Sequence, residues 1–321
     1  MMTSLQTQIQ TDLAQFYPEF DRVLAPLTYF KIGGLAEVYF DLKSRAALIE
    51  VIQWCLSHHS HFILLGGASN VIVNSEGIPG VVIRTSNQEY ELLPSPDKKT
   101  GVIRVGGGYK TSLFVRRTID DGFGGLEYFL GVPGRVGGAV YNNAHYLSNL
   151  IGTHIIRVEV ISATGEVHWI SHQDCDFSYD HSRFHTSDEV IVQAEFGLAQ
   201  ADQVNSLELV KAATLYRAQT QPLGEPSSGC YFRNTPNTPT LRARFPQFAA
   251  RSECPAAFLI DQAGLKGTTV GGIAVSHKHA AFFINTGAGT SQEVSQLAEI
   301  VKRSVRDQFG VELKEEVFFL K

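Results

Sequence analysis

The sequence predicts an α+β protein: a small lobe of strand, helix and strand, a second lobe rich in strands, and a third domain of mixed elements. Three observations carry this. A glycine turn, Gly66-Gly67-Ala68-Ser69-Asn70, stands between the short apolar runs Phe62–Leu65 and Val71–Val73. β-Branched runs bounded by turn residues recur from Gly80 to about Leu198, with one helical stretch among them. A long amphipathic stretch, Ser291–Phe309, precedes a last apolar run.

Taken in order, Ser4–Phe16 reads as a helix with Leu5, Ile9 and Leu13 on one face. After Thr28–Gly34, a strand is expected over Ala36–Asp41. Ser44 is a suitable N-cap, because its hydroxyl can accept from the first free N–H groups of a helix through Leu48, Ile49, Ile52 and Trp54. His58, His59 and His61 end that helix, where polar groups suit the dipole. The second lobe has strands over 81–83, 101–105, 155–161, 167–170 and 190–196, and a helix over 111–121. A helix from Ala201 to Ala218 marks the next boundary. Strands near 230–233, 273–275 and 281–285, the helix Ser291–Phe309 and a strand Glu316–Leu320 complete the chain. Residues 235–255, rich in Pro, Thr and Arg, read as an insertion or long loop. The expected domains are 1–27 (lead-in), 28–80 (first lobe), 81–200 (second lobe) and 201–321 (third domain).

Hydrophobic content of 44% and charged content of 18% over 321 residues are those of a globular chain with ample core. A net charge of −5 leaves no basic surface for bulk nucleic-acid binding. Met1–Glu19 lacks the basic and apolar regions of a signal peptide, and no run approaches the ~20 apolar residues of a membrane helix. The cysteines, Cys55, Cys175, Cys230 and Cys254, form no CxxC pair, which points to a reducing compartment without a zinc site or disulfides. A cytoplasmic monomer acting on a small molecule, with no nucleic-acid or membrane partner, is the expectation.

The glycine turn carries the most chemistry. A strand that enters Gly, Gly, a small residue, Ser and Asn exposes several backbone N–H groups in one arc, a nest for an anion such as phosphate. No Gly-Lys-Ser/Thr follows and no helix is expected at its end, so it is neither a Walker loop nor a Rossmann fingerprint. A pyrophosphate cradle remains, which suggests a dinucleotide such as FAD. A second cluster runs from Gly131 through Pro133, Gly134, Gly137 and Gly138. Alone it reads as a structural double turn; beside the first it fits the other end of one extended cofactor. Asn142 and Asn143 can bond a flavin ring or ribityl chain, or serve as turn residues.

These residues, with others in the same order, carry a resemblance. The matching stretches are Thr28–Gly34, Leu65–Asn70, Gly125-Leu126-Glu127, Gly131–Ala139, Asp174–Tyr179, Gln221-Pro222-Leu223, Ser228–Asn234, Leu259–Gly267, Val275–Ala280 and Leu313–Val317. Together they resemble the MurB family of UDP-N-acetylenolpyruvoylglucosamine reductases, in its shorter subtype. The resemblance implies a two-lobed FAD-binding domain of the vanillyl-alcohol-oxidase-like (PCMH) type, then an α/β substrate domain. It also implies a reaction: NADPH reduces FAD, hydride passes to the β-carbon of an enolpyruvyl ether, and an acid protonates the α-carbon. Gly66, Gly67, Ala68, Ser69, Asn70, Gly131, Pro133, Gly134, Gly137, Gly138 and Asn143 would then hold FAD.

The family's proton donor is a serine; here Cys230 occupies that position. A thiol with a reference pKa of about 8.5 is mostly protonated at neutral pH and a stronger acid than a hydroxyl, so the role survives the exchange. An inert buried cysteine is the competing reading. The resemblance assigns a supporting glutamate to Glu316, although Glu315 stands where the family usually has proline. Tyr179 matches a substrate-binding tyrosine. The family's next residue, an arginine, is replaced here by Asp180, which would repel the carboxylate on which negative charge develops. Arg183 either takes over that task or is a solvated turn residue. Arg233, Asn234 and Lys278 are candidates for the diphosphate or sugar. His277 and His279 lack further ligands, so no metal site is expected. An inactive or re-purposed flavin protein, a flavin-free nucleotide-sugar binder and a flavin oxidase of another substrate are the alternatives.

Overall fold

A computed structural model describes residues 1–321 apart from Pro96 and Lys98. The helices are α1 (Ser4–Asp12), α2 (Arg45–Ser57), α3 (Thr111–Asp120), α4 (Val136–Tyr141), α5 (Gln203–Thr220), α6 (Pro239–Arg244), α7 (Ala256–Gln262) and α8 (Ser291–Phe309). The strands of the first half are β1 (Glu19–Val23), β2 (Leu35–Leu42), β3 (Phe62–Leu65), β4 (Val71–Val73), β5 (Ile78–Thr85), β6 (Tyr90–Leu93) and β7 (Thr100–Gly106). Next come β8 (Phe123–Gly124), β9 (His145–Tyr146), β10 (Asn149–Leu150), β11 (Ile155–Ile161), β12 (Val167–Ser171) and β13 (Val190–Gln200). The last are β14 (Thr235–Pro236), β15 (Glu253–Cys254), β16 (Thr269–Val270), β17 (Ile273–Val275), β18 (Phe283–Asn285) and β19 (Phe318–Leu320).

The chain divides into two compact units. The first is Met1–Arg22, Ala36–Gly67 and Pro79–Arg217; the second is Val23–Leu35, Ala68–Ile78 and Ala218–Lys321.

In the first unit one sheet has the order β1-β2-β5-β3, with β3 and β5 parallel. β5 covers residues expected to open the second lobe, yet it lies inside this first sheet. α2 begins as expected, with the Ser44 hydroxyl accepting from the Ala47 N–H at 3.2 Å. Its Leu48, Val51, Ile52 and Cys55 are fully buried with Val38, Phe40, Val81 and Ile83. The other sheet runs β12-β11-β13-β7-β6 and is antiparallel. Its centre is β13, whose register against β11 shifts between Glu159 and Val160. Because side chains alternate along a strand, one extra residue exchanges the faces beyond it. Val190 and Val192 accordingly join the α2 core, while Ala194, Phe196 and Leu198 join Ile103, Val105, Phe114 and Val140 in a second core. One strand therefore serves both cores.

The second unit is organised by α8. The Thr290 hydroxyl caps it in a box with Glu293, and Gly310 ends it in the left-handed conformation at φ 67°. Val294, Leu297, Val301 and Val305 form its buried stripe, at the i, i+3, i+4 spacing read from the sequence. They pack with Phe30, Ile72, Tyr231, Leu259 and Phe283. β4 pairs in parallel with β19, Phe318 opposite Val71. The 235–255 segment is not a bare loop. β14 and β15 close its base, Thr235 opposite Cys254, and α6 buries Leu241 in the core. Phe245 sets its ring edge-on to Phe258 at 4.9 Å. Residues 230–233, expected as a strand, make only isolated bridges among the described residues, Cys230 with Phe282 and Phe232 with Glu315.

Candidate active site

In the first unit, the two glycine clusters meet. A Cβ built on Gly67 would fall 2.3 Å from the Cα of Gly134, and one on Gly66 would be 3.9 Å from the Gly138 nitrogen. Only glycine permits that approach at Gly67, and Gly134 itself sits at φ 113°. These parts of the two clusters lie backbone against backbone. The second cluster opens into α4, where a plain double turn between strands was one reading. Gly137 donates to the Gly107 carbonyl at 2.7 Å and Val136 to Tyr109 at 2.9 Å. The Arg135 guanidinium bonds the Gly108 carbonyl. This supporting run, Gly106-Gly107-Gly108, went unread in the sequence, although three glycines directly after an apolar strand were its signal. A Cβ on Gly138 would meet nothing within 4 Å, and one on Gly131 would come 3.3 Å from Arg217 Cδ. Pro133 precedes Gly134 in this turn. The glycine backbone around Gly138 is open to a ligand, so this part of the chain fits a dinucleotide.

Asn143 is fully buried, with φ 45°. Its side-chain N–H donates to the Ser178 carbonyl at 2.6 Å and its oxygen accepts from Gly152 at 2.9 Å. The amide thus clamps two loops. Tyr179 and Asp180 form the tip of a tight hairpin in which Ser178 and His181 exchange backbone bonds of 3.1 and 3.2 Å. Asp180 is buried, and its Oδ1 lies 2.7 Å from His145 Nδ1. His145 Nε2 is 3.1 Å from the Tyr179 hydroxyl. His145 was given no role in the sequence reading, since nothing local links it to residues 34 and 35 positions later. Arg183 faces Glu189, with Nε at 3.0 Å from one oxygen and Nη2 at 3.1 Å from the other. A further bond of 3.2 Å from Nη1 reaches the Asp174 carbonyl. Its guanidinium is thus engaged within the fold.

In the second unit, Ala68 adopts φ 51° at the apex of the first turn, ahead of Ser69 and Asn70. The Asn70 side-chain amide donates to the Glu316 carbonyl at 3.3 Å, and the Phe318 N–H to the Asn70 carbonyl at 3.1 Å. The Glu316 N–H donates to the Tyr231 carbonyl at 2.8 Å, and the Tyr231 N–H to Ala281 at 2.7 Å. The segments carrying Cys230 and Glu316 are therefore bonded side by side. Glu315 forms an ion pair with Lys302, which engages that carboxylate elsewhere. The Arg233 N–H donates to the Lys314 carbonyl at 2.9 Å, and its buried Nε has no hydrogen-bond partner among the described residues. Asn234 accepts from the Ala256 N–H at 3.2 Å, at the start of α7. Lys278 Nζ donates to the Ala218 carbonyl at 2.6 Å, in the last turn of α5. Burial pushes the His279 imidazole below its ordinary pKa, and the Lys266 charge adds to this. Burial raises the thiols of Cys55 and Cys175 to about 12, which disfavours the reactive thiolate.

Comparison with known proteins agrees with these features. Residues 36–171 match the family model described as FAD binding domain. Residues 221–320 match that of the UDP-N-acetylenolpyruvoylglucosamine reductase C-terminal domain. The UDP-N-acetylenolpyruvoylglucosamine reductase of Chlamydia felis (strain Fe/C-56) is 35% identical over 296 residues, covering 92% of this chain and 91% of its own. Reductase 1 of Bacillus anthracis is 34% identical over 301 residues, covering 92% of each. The crystal structure of the MurB reductase from Thermus caldophilus superimposes with a TM-score of 0.75 at 26% identity, covering 94% of this chain and 98% of that one. This chain belongs to the UDP-N-acetylenolpyruvoylglucosamine reductase family.

Proposed function

We propose that the chain reduces UDP-N-acetylglucosamine enolpyruvate to UDP-N-acetylmuramate with NADPH, in peptidoglycan precursor synthesis. The observation that carries this reading is the bonding of the Cys230 segment to the Glu316 segment, which the sequence separates by 85 intervening residues. When bound, FAD would supply the two-electron chemistry that links NADPH to the substrate's β-carbon. Gly66, Gly67, Ala68, Ser69, Asn70, Gly131, Pro133, Gly134, Gly137 and Gly138 would hold it.

Hydride addition pushes negative charge toward the enolpyruvyl carboxylate, and the α-carbon then needs a proton. The Cys230 thiol donates that proton in this reading. Glu316 orients and polarises the group being protonated. Arg233 and Lys278 are the cations proposed for the substrate diphosphate, and Tyr179 a further substrate contact. A cytoplasmic monomer is part of the proposal; among the described residues no helix is long and apolar enough to cross a membrane.

The test is anaerobic and has two steps. NADPH should bleach the yellow protein, and the enolpyruvyl substrate should restore the colour. Asp180 favours a second reading, a flavin protein that has lost the second half-reaction. Bleaching without recolouring would select it.

A further inference from the structure

We propose that in this chain the substrate carboxylate is recognised through an Asp180–His145–Tyr179 relay, an imidazole taking the place of a guanidinium; this rests on the reductase reading above. Two segments, 141–145 and 178–185, are zipped together. Asn143 bonds the Ser178 carbonyl at 2.6 Å, Ser182 Oγ donates to the Tyr141 carbonyl at 2.5 Å, and His185 Nε2 lies 3.2 Å from Asn142 Oδ1. These bonds tie down the hairpin, at whose tip Asp180 holds φ 50°. Such a position is strained for a non-glycine residue and persists where surrounding contacts over-determine it.

The Asp180 carboxylate can only accept when ionised, so the His145 Nδ1 at 2.7 Å carries the proton between them. The other oxygen, Oδ2, is buried and has no hydrogen-bond partner among the described residues. Nδ1 and Oδ1 stand in ion-pair geometry, in which an imidazolium would compensate this carboxylate. Doubly protonated, His145 donates from Nε2 to the Tyr179 hydroxyl at 3.1 Å. The phenol O–H is then polarised and turned away from the ring nitrogen. Tyr179 is 41% exposed, whereas Asp180 is 6% exposed, so the relay runs from a buried anion to an accessible donor. A cation behind a polarised hydroxyl is the combination an anionic carboxylate needs. Asp180 and His145 act through Tyr179 and are positioning residues.

Charged groups also stand on elements near β9. Glu127 bonds Ser206 and the Gly125 N–H. Arg217 lies over the Tyr146 ring at 5.2 Å, with Tyr216 on the same helix. His181 pairs with Asp176 at 3.4 Å.

The test is substrate affinity as a function of pH, read from the perturbation of visible flavin absorbance. A guanidinium would leave affinity flat from about pH 6 to about pH 9, whereas an imidazole makes it fall as pH rises. The unmodified protein should lose about tenfold across that range. His145→Gln should weaken binding about tenfold to hundredfold at the acid end and flatten the profile. Nitrogen NMR of the unmodified protein should show His145 doubly protonated at the acid end, which needs no variant to fold. A flat wild-type profile, unchanged affinity in His145→Gln, or a neutral ring at the acid end would overturn the relay. Failure of the unmodified protein to recolour would overturn the reductase reading and the relay with it; recolouring with a flat profile overturns the relay alone.

Discussion

The side-chain amide of Asn70 donates to the main-chain carbonyl of Glu316, across 246 positions of sequence. The last residue of the glycine turn thus holds the segment that carries the C-terminal glutamate. Asn70→Ala would leave that carbonyl without this donor while sparing the parallel β4–β19 ladder.

Gly67→Ala would drive a methyl group into the Gly134 backbone, 2.3 Å from its Cα. Neither partner is a flexible side chain, so one loop must move. The purified variant should carry far less FAD, seen as a lower ratio of visible to ultraviolet absorbance. An unchanged ratio would refute the role of this contact.

Cys230 separates two meanings of one thiol. Cys230→Ser should retain turnover, because a hydroxyl also carries a proton. Cys230→Ala should slow recolouring by about 10²- to 10⁴-fold, the usual contribution of a positioned acid. NADPH bleaching should proceed at its normal rate in both. Stopped-flow absorbance resolves the two steps, and an active alanine variant would exclude the thiol as the acid.

Arg183 should behave as a structural residue. Removing it leaves Glu189, whose side chain is 11% exposed, with only the more distant His168 Nε2 at 3.9 Å among the described residues. Arg183→Ala is expected to cost about 1–3 kcal/mol of stability while turnover persists at permissive temperature. Thermal melts and steady-state assays check both halves.

The 235–255 segment should prove integral to the fold. Phe245 packs edge-on against Phe258 at 4.9 Å and Phe309 at 5.8 Å. Phe245→Ala is expected to cost about 3–5 kcal/mol, measured by denaturant unfolding. A near-neutral result would return the segment to the status of an appended loop.

Glu195 gives a pH prediction. Burial alone would raise its pKa, but hydrogen bonds from Arg157 and Arg104 outweigh this and leave it below its ordinary 4.5. A carboxylate lowered on folding contributes stability above its unfolded value and loses it as pH falls through the folded one. Acidification below about pH 4.5 should therefore erode stability, and Glu195→Gln should shallow that limb. Melting temperatures against pH measure the difference.

Sequence alone fixed what depends on neighbours along the chain. The α8 stripe and its cap, the Ser44 cap of α2, the strands Ile155–Ile161 and Phe62–Leu65, and the two glycine clusters all follow from spacing, because helix and strand periods are local. The family, and with it the chemistry assigned to Cys230 and Glu316, followed from motifs in order. Tertiary structure alone decided which distant residues meet. It set Gly67 against Gly134, turned Asn143 into a clamp, engaged Arg183 with Glu189, and joined His145 to Asp180. No periodicity encodes these pairings. They arise when a bulged central strand and two loops are packed around shared cores, where a buried carboxylate takes whichever donor the backbone has brought within reach.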